Sequence, residues 1–272
     1  MRIPMTTTKI ETRHGVMAVD DSATAGFPVV FIHGNSASRS IFRHQVDAGW
    51  AGDYRMITLD LLGHGDSEDA SEPEAAYTQN GYADAIFDVL TELGVERAVV
   101  VGWSLGGHIA LELIAKFPGL TGVVITGTPP ANPETLGDAF NAGDGLSIGG
   151  TEVITAQEAE LYARMTAVPF EQSALDAAIR TDGRARKIMF DAFGAGRESD
   201  QKALVATASV PLAVIDGAED PFVNTSYVAS LTFANLWEGT YHVIPGVGHA
   251  AFWEAPEIYN PLLQRFLGSF AK

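Results

Sequence analysis

Residues 98–107 read AVVVGWSLGG. A small, β-branched apolar run leads into Gly102-Trp103-Ser104-Leu105-Gly106, and apolar residues at helical spacing begin at once. That order predicts a strand, a sharp turn and a helix with serine at the apex, the arrangement of a nucleophile elbow. Glycines flank the serine because so tight a turn leaves no room for a Cβ. The turn lifts the Ser104 hydroxyl off the sheet edge. It also aims N–H groups at the helix start toward an oxyanion forming beside the serine. The stretch therefore points to acyl-transfer chemistry.

On either side of the elbow, strands and helices alternate. The runs 29–32 (VVFI), 56–59 (MITL) and 123–126 (VVIT) read as buried strands. Residues 82–93 have helical apolar spacing and stop at Gly94, a good residue just past a helix end. Alternation of this kind predicts a mostly parallel central sheet flanked by helices, an α/β fold with its functional loops at the strand C-terminal ends. The pattern changes at Gly127-Thr128-Pro129-Pro130. From there to about residue 208 no strand run appears, only helical segments rich in alanine and acid, such as 156–163 and 173–179. Strand text returns at 210–215 (VPLAVI). The reading is a core of residues 1–130 and 208–272 with a helical cap, or lid, over residues 131–207.

At 272 residues the chain is long enough for one such domain with an insertion. A net charge of −17 argues against nucleic acid or anionic membrane as a partner. With no cysteine, thiolate catalysis and Cys-based metal sites are excluded, which fits a reducing compartment. The first fifteen residues show no apolar signal region, and the apolar stretch 98–115 is broken by Ser104, His108 and Glu112. The expectation is a cytoplasmic protein without a membrane span.

A serine is a weak nucleophile at neutral pH and needs a base, which in turn needs an orienting carboxylate. His249, on the glycine-bearing loop 245–249 (PGVGH) after a strand-like run, has the place of the base in the order serine, acid, histidine. The loop 215–221 (IDGAEDP) offers Asp216, Glu219 and Asp220. Asp220 is favoured because it lies three residues past the glycine, where the loop has turned back; Glu219 is the alternative. The oxyanion donors are expected to be the N–H of Leu105 and that of Asn35, in the loop His33-Gly34-Asn35. His64 and His108 read as structural. No zinc-hydrolase, Walker or dinucleotide motif is found, so neither metal nor cofactor is expected.

Taken in order, His33-Gly34-Asn35, the loop 60–67, the elbow, residues 217–220 and Gly248-His249 resemble the α/β-hydrolase fold. The resemblance covers the chain outside the helical insertion. A narrower one, to the metal-independent N-acyl-homoserine lactonases of that fold, rests on 31–36 (FIHGNS), 87–107, 125–130 (ITGTPP), 180–186 (RTDGRAR) and 235–239 (NLWEG). The insertion carries most weight, since the core motifs serve many substrates. This resemblance implies opening of the lactone ring of a bacterial signal, with Tyr162 as a candidate substrate contact. Trp103 is a further substrate-binding candidate. The family can place a glutamate at the position matching Asp220, which keeps Glu219 open. A general carboxylesterase for small or medium-chain esters is the alternative. A ligand receptor on a hydrolase scaffold is the second.

Overall fold

A computed structural model describes residues 3–270. Residues 1–2 and 271–272, the extremes of the expected core and of the N-terminal stretch, lie outside them. The described strands form one sheet: β1 (Thr6–Thr12), β2 (Gly15–Asp21), β3 (Phe27–Ile32), β4 (Tyr54–Leu59), β5 (Ala98–Trp103), β6 (Leu120–Thr126), β7 (Leu212–Gly217) and β8 (His242–Ile244). Their order across the sheet is β1-β2-β4-β3-β5-β6-β7-β8. From β4 to β8 every neighbouring pair is parallel, while β2 runs antiparallel to both β1 and β4.

The apolar runs form strands because both of their faces are covered. Val99, Val101 and Trp103 pack into the core on one face with Phe31, Phe252 and Tyr259. Val100 packs into the core on the other with Ile32, Ile109 and Leu113. Alternation along β5 thus splits one apolar run between two cores. All the parallel strands end at one edge of the sheet, so the loops after β3, β5, β6, β7 and β8 converge there.

Between β6 and β7 the described helices are Leu136–Ala139, Asp144–Gly149, Ala156–Thr166, Gln172–Arg180, Gly183–Gly194 and Gln201–Val205. Helix Ala156–Thr166 begins with a capping box, in which Thr155 and Glu158 each satisfy the other's backbone N–H. Polar contacts tie these helices to the sheet domain. Tyr77 OH donates to Asp182 at 2.7 Å and Arg180 Nη2 to the Ser67 carbonyl at 2.8 Å. Arg43 and Glu171 form an ion pair. Glu198 accepts the N–H groups of Gln79 and Asn80, at the start of helix Gln79–Glu92. Among the described residues no helix is long and apolar enough to cross a membrane.

Candidate active site

Helix Leu105–Lys116 starts immediately after β5, with Ser104 between them at φ 53° and ψ −120°. This left-handed conformation is strained for a residue with a side chain. Its surroundings enforce it. Ser104 N–H donates to the Thr126 carbonyl at 2.8 Å, and the Ser104 carbonyl accepts from Thr128 Oγ1 at 2.9 Å. A Cβ on Gly102 would lie 2.6 Å from Gly107 Cα, and one on Gly106 would lie 2.7 Å from the His33 carbonyl oxygen. The glycines are therefore required by close backbone approach. Leu105 is the first residue of its helix, so its N–H has no acceptor within the helix and is free to bind an anion.

His249 lies on the loop after β8 and is buried. Its Nδ1 donates to Asp220 Oδ2 at 2.7 Å. The other oxygen of Asp220 accepts the N–H groups of Phe222 and Val223 at 2.8 and 3.0 Å. The two loops are joined, since Ala218 and Glu219 N–H donate to the carbonyls of Ile244 and Val247, each at 2.9 Å. The imidazole lies between Trp103 and Phe222, with ring centroids 5.4 and 4.6 Å away. An imidazole so held presents a basic Nε2, able to take a proton from a hydroxyl or a water.

Asn35 is on the loop after β3. Its side-chain amide donates to the Gly149 carbonyl at 2.9 Å and to Tyr162 OH at 3.4 Å, which links this loop to the inserted helices. Behind it are two buried imidazoles. His33 Nε2 accepts the Leu61 N–H at 3.0 Å, and His64 Nε2 accepts the Ser36 N–H at 3.2 Å. Each gives its Nδ1 proton to a nearby carbonyl. Burial pushes His33 down to about 4 and His64 to about 3, so both are neutral at neutral pH.

Ser104, Leu105, Asn35, His249 and Tyr162 line one cavity of about 380 Å³. Its remaining wall is mostly apolar: Leu136, Phe140, Leu146, Met189, Phe190 and Phe193 come from the inserted region, and Phe222 from the loop after β7. Burial raises the Tyr162 phenol to about 12, so it stays protonated and able to donate.

Two expected residues are placed elsewhere. Trp103 does not line this cavity. Strand alternation turns it to the opposite face, where its indole N–H donates to the His249 carbonyl at 3.1 Å and its ring packs edge-on against Phe252. It supports the histidine loop rather than meeting a ligand in this space. Glu219 is exposed on the surface, while the adjacent Asp220 faces His249.

Asp216, the first carboxylate of 215–221, stays on β7. It is fully buried, accepts from Gly127 N–H and Tyr241 OH at 2.7 Å each, and is raised by burial to about 7. Gly127 has φ +60°, and a Cβ there would lie 2.7 Å from the His249 ring, so this turn seats the imidazole. Only the glycine signalled the arrangement in the sequence.

The model of the Alpha/beta hydrolase family matches residues 29–262. Among solved structures, N-acyl homoserine lactonase AidH complexed with N-butanoyl homoserine is 46% identical, with a TM-score of 0.94 and 96% of each chain covered. A variant of AidH complexed with N-hexanoyl homoserine, also 46% identical, has a TM-score of 0.95 and covers 97% of this chain and 96% of its own. Among curated proteins, 2-(acetamidomethylene)succinate hydrolase of Mesorhizobium japonicum is 27% identical over 88% of this chain and 87% of its own length. With its elbow serine, sheet order and family match over most of its length, the chain belongs to the alpha/beta hydrolase family.

Proposed function

We propose that the protein hydrolyses the ester bond of N-acyl-homoserine lactones, with Ser104, His249 and Asp220 as its catalytic triad and residues 131–207 as a lid over the acyl chain. The observation that carries this reading is the cavity. It joins the serine and histidine to an apolar space walled by the inserted helices. The similarity to AidH, 46% identical with 96% of each chain covered, supports a lactone as substrate.

In this mechanism His249 Nε2 takes a proton from Ser104 Oγ, or from a water beside it, as that oxygen attacks the lactone carbonyl carbon. The carbonyl electrons move to oxygen, and the oxyanion rests on the N–H groups of Leu105 and Asn35. Collapse breaks the ring C–O bond, and His249 returns the proton to the departing homoserine oxygen. If Ser104 is the attacking group, an ester on Oγ remains and a water, deprotonated by His249, releases the carboxylate. Mass spectrometry of protein quenched during turnover separates the routes: an acyl adduct on Ser104 identifies the covalent one. Asp220 fixes the tautomer and stabilises the imidazolium. In this reading Tyr162 OH and Asn35, which line the cavity, hold polar atoms of the substrate near the serine.

The second reading is a carboxylesterase for small or medium-chain esters, favoured by how few polar groups line the cavity beyond the reaction centre. The test compares kcat/KM on N-acyl homoserine lactones of several chain lengths with kcat/KM on p-nitrophenyl esters of the same acids. Higher efficiency on the lactones supports the first reading. Much higher efficiency on the esters replaces it with the second.

A further inference from the structure

His108 is polar, buried and turned toward the cavity, yet the mechanism does not use it. It lies on the elbow helix, with its N–H donating to the Ser104 carbonyl at 3.2 Å. Ser104 caps this helix, so His108 lies one turn further in, about 6 Å along the axis. It lines the same cavity. Its ring is flanked by Phe193 and Phe140, with centroids 5.0 and 6.2 Å away, which places it in the apolar wall beyond the reaction centre.

The surroundings of His108 determine which of its nitrogens carries hydrogen. Nδ1 is 2.6 Å from Gln201 Oε1. The Gln201 amide has one allowed orientation. Its nitrogen faces Gln79 Oε1 at 2.9 Å, the His108 carbonyl at 3.1 Å and Glu112 Oε1 at 3.1 Å. The His108 carbonyl and the Glu112 carboxylate are fixed acceptors, so the reversed amide would set an oxygen against both. Glu112 is itself fixed by the hydroxyl of Ser199 at 2.6 Å. Gln201 Oε1 therefore accepts, His108 Nδ1 donates, and Nε2 holds a lone pair. Burial pushes the imidazole down to about 4, so it remains neutral at neutral pH. Among the described residues no group donates to Nε2.

We infer that His108 Nε2 is an acceptor for a hydroxyl group carried by the substrate's acyl chain, and that it makes the enzyme prefer hydroxyl-bearing chains. The inference rests on the acyl-cavity reading above. In a homoserine lactone the carbon β to the acyl carbonyl lies five bonds from the attacked ring carbonyl, so a chain that leaves Ser104 and passes His108 brings that carbon near this wall. A hydroxyl there donates to Nε2. A methylene leaves the acceptor unpaired, and a ketone sets lone pair against lone pair. One net hydrogen bond corresponds to a preference of about two- to tenfold.

The test measures kcat/KM for three acyl chains of equal length, with a methylene, a hydroxyl or a ketone at the β-carbon. Each is supplied as the homoserine lactone, and in a parallel p-nitrophenyl ester series the substituent sits on the carbon five bonds from the ester carbonyl, so that it reaches the same wall. Wild type and His108→Phe are compared through the hydroxyl-to-methylene ratio within each enzyme. The expected result is a ratio of about two to ten in wild type, falling to one or below in His108→Phe, with the ketone no better than the methylene. A wild-type ratio of one or below, a ketone preferred to the hydroxyl, or a ratio that survives in His108→Phe overturns the inference. The wild-type arms decide it even if the variant does not fold. Lactones left intact while the esters show the preference would remove the lactone reading and keep this one. Turnover of both without preference does the reverse, and turnover of neither removes both.

Discussion

In Asp220→Asn a single acceptor oxygen has to serve where two serve now. Oδ1 accepts from Phe222 and Val223 N–H at 2.8 and 3.0 Å, and Oδ2 accepts from His249 Nδ1 at 2.7 Å. An amide that keeps its oxygen on the backbone pair turns its NH₂ toward the imidazole. His249 must then offer Nδ1 as an acceptor and carry its proton on Nε2, the atom required as base. The opposite amide orientation sets NH₂ against two backbone donors in a buried site. In the favoured state the base is lost, which corresponds to about ten-thousandfold in kcat, or about 5 kcal/mol of transition-state stabilisation. The side chain keeps its volume, so the thermal midpoint moves little. The assay is ring opening of N-hexanoyl homoserine lactone, followed by proton release, with Glu219→Gln measured beside it. Glu219 is exposed, and its replacement is expected to leave kcat unchanged. The reasoning is refuted if Asp220→Asn stays within about tenfold of wild type, or if Glu219→Gln is the variant that collapses.

Other expectations follow from the same geometry. Gly102→Ala places a Cβ 2.6 Å from Gly107 Cα and is expected to cost about 3 kcal/mol or more; an unchanged urea midpoint would contradict the close approach. Asn35→Ala removes the tether to Gly149 but keeps the backbone N–H, so kcat should fall by less than about tenfold, whereas a hundredfold loss would make the side chain the oxyanion donor. Asp216 is raised to about 7, above an unfolded value near 4, so the folded state holds the extra proton between those values. Its contribution to stability is full below about pH 4 and declines as pH rises to about 7. Wild type should therefore lose up to about 4 kcal/mol relative to Asp216→Asn across that window, and a difference independent of pH by urea denaturation would disprove it. EDTA should leave kcat/KM intact, because among the described residues no group of three His, Cys, Asp or Glu side chains could hold a metal ion; loss of activity restored by zinc would show otherwise.

The parallel strands were legible because burial on both faces writes them as short apolar runs, and the elbow was legible because its glycines answer a steric demand. The hairpin of β1 and β2 was not. The segment TTTKIET is mostly exposed and has no apolar run, so only its pairing with β2 makes it a strand. The helix Pro256–Leu267 was also not anticipated, although it buries Tyr259, Leu263, Phe266 and Leu267. Trp103 is a substrate-binding candidate in the sequence, but the side of the sheet is set by strand alternation, and that places it under His249. The Asp216 arrangement joins Gly127 and Tyr241 from separate strand ends. His108 and Gln201 are 93 positions apart, and no spacing rule links them. Contacts of this kind depend on how distant loops and helices pack, which local sequence patterns do not encode.

Opening of an acyl lactone ring at the Ser104 site is read from its product. Purified wild type and Ser104→Ala are incubated with N-hexanoyl homoserine lactone at neutral pH, and intact and ring-opened compounds are quantified by mass spectrometry against a no-enzyme control. N-hexanoyl homoserine is expected with wild type, and far less of it with Ser104→Ala, whether Oγ attacks or holds the attacking water. Intact lactone with wild type, or equal ring opening by the variant, would contradict this expectation.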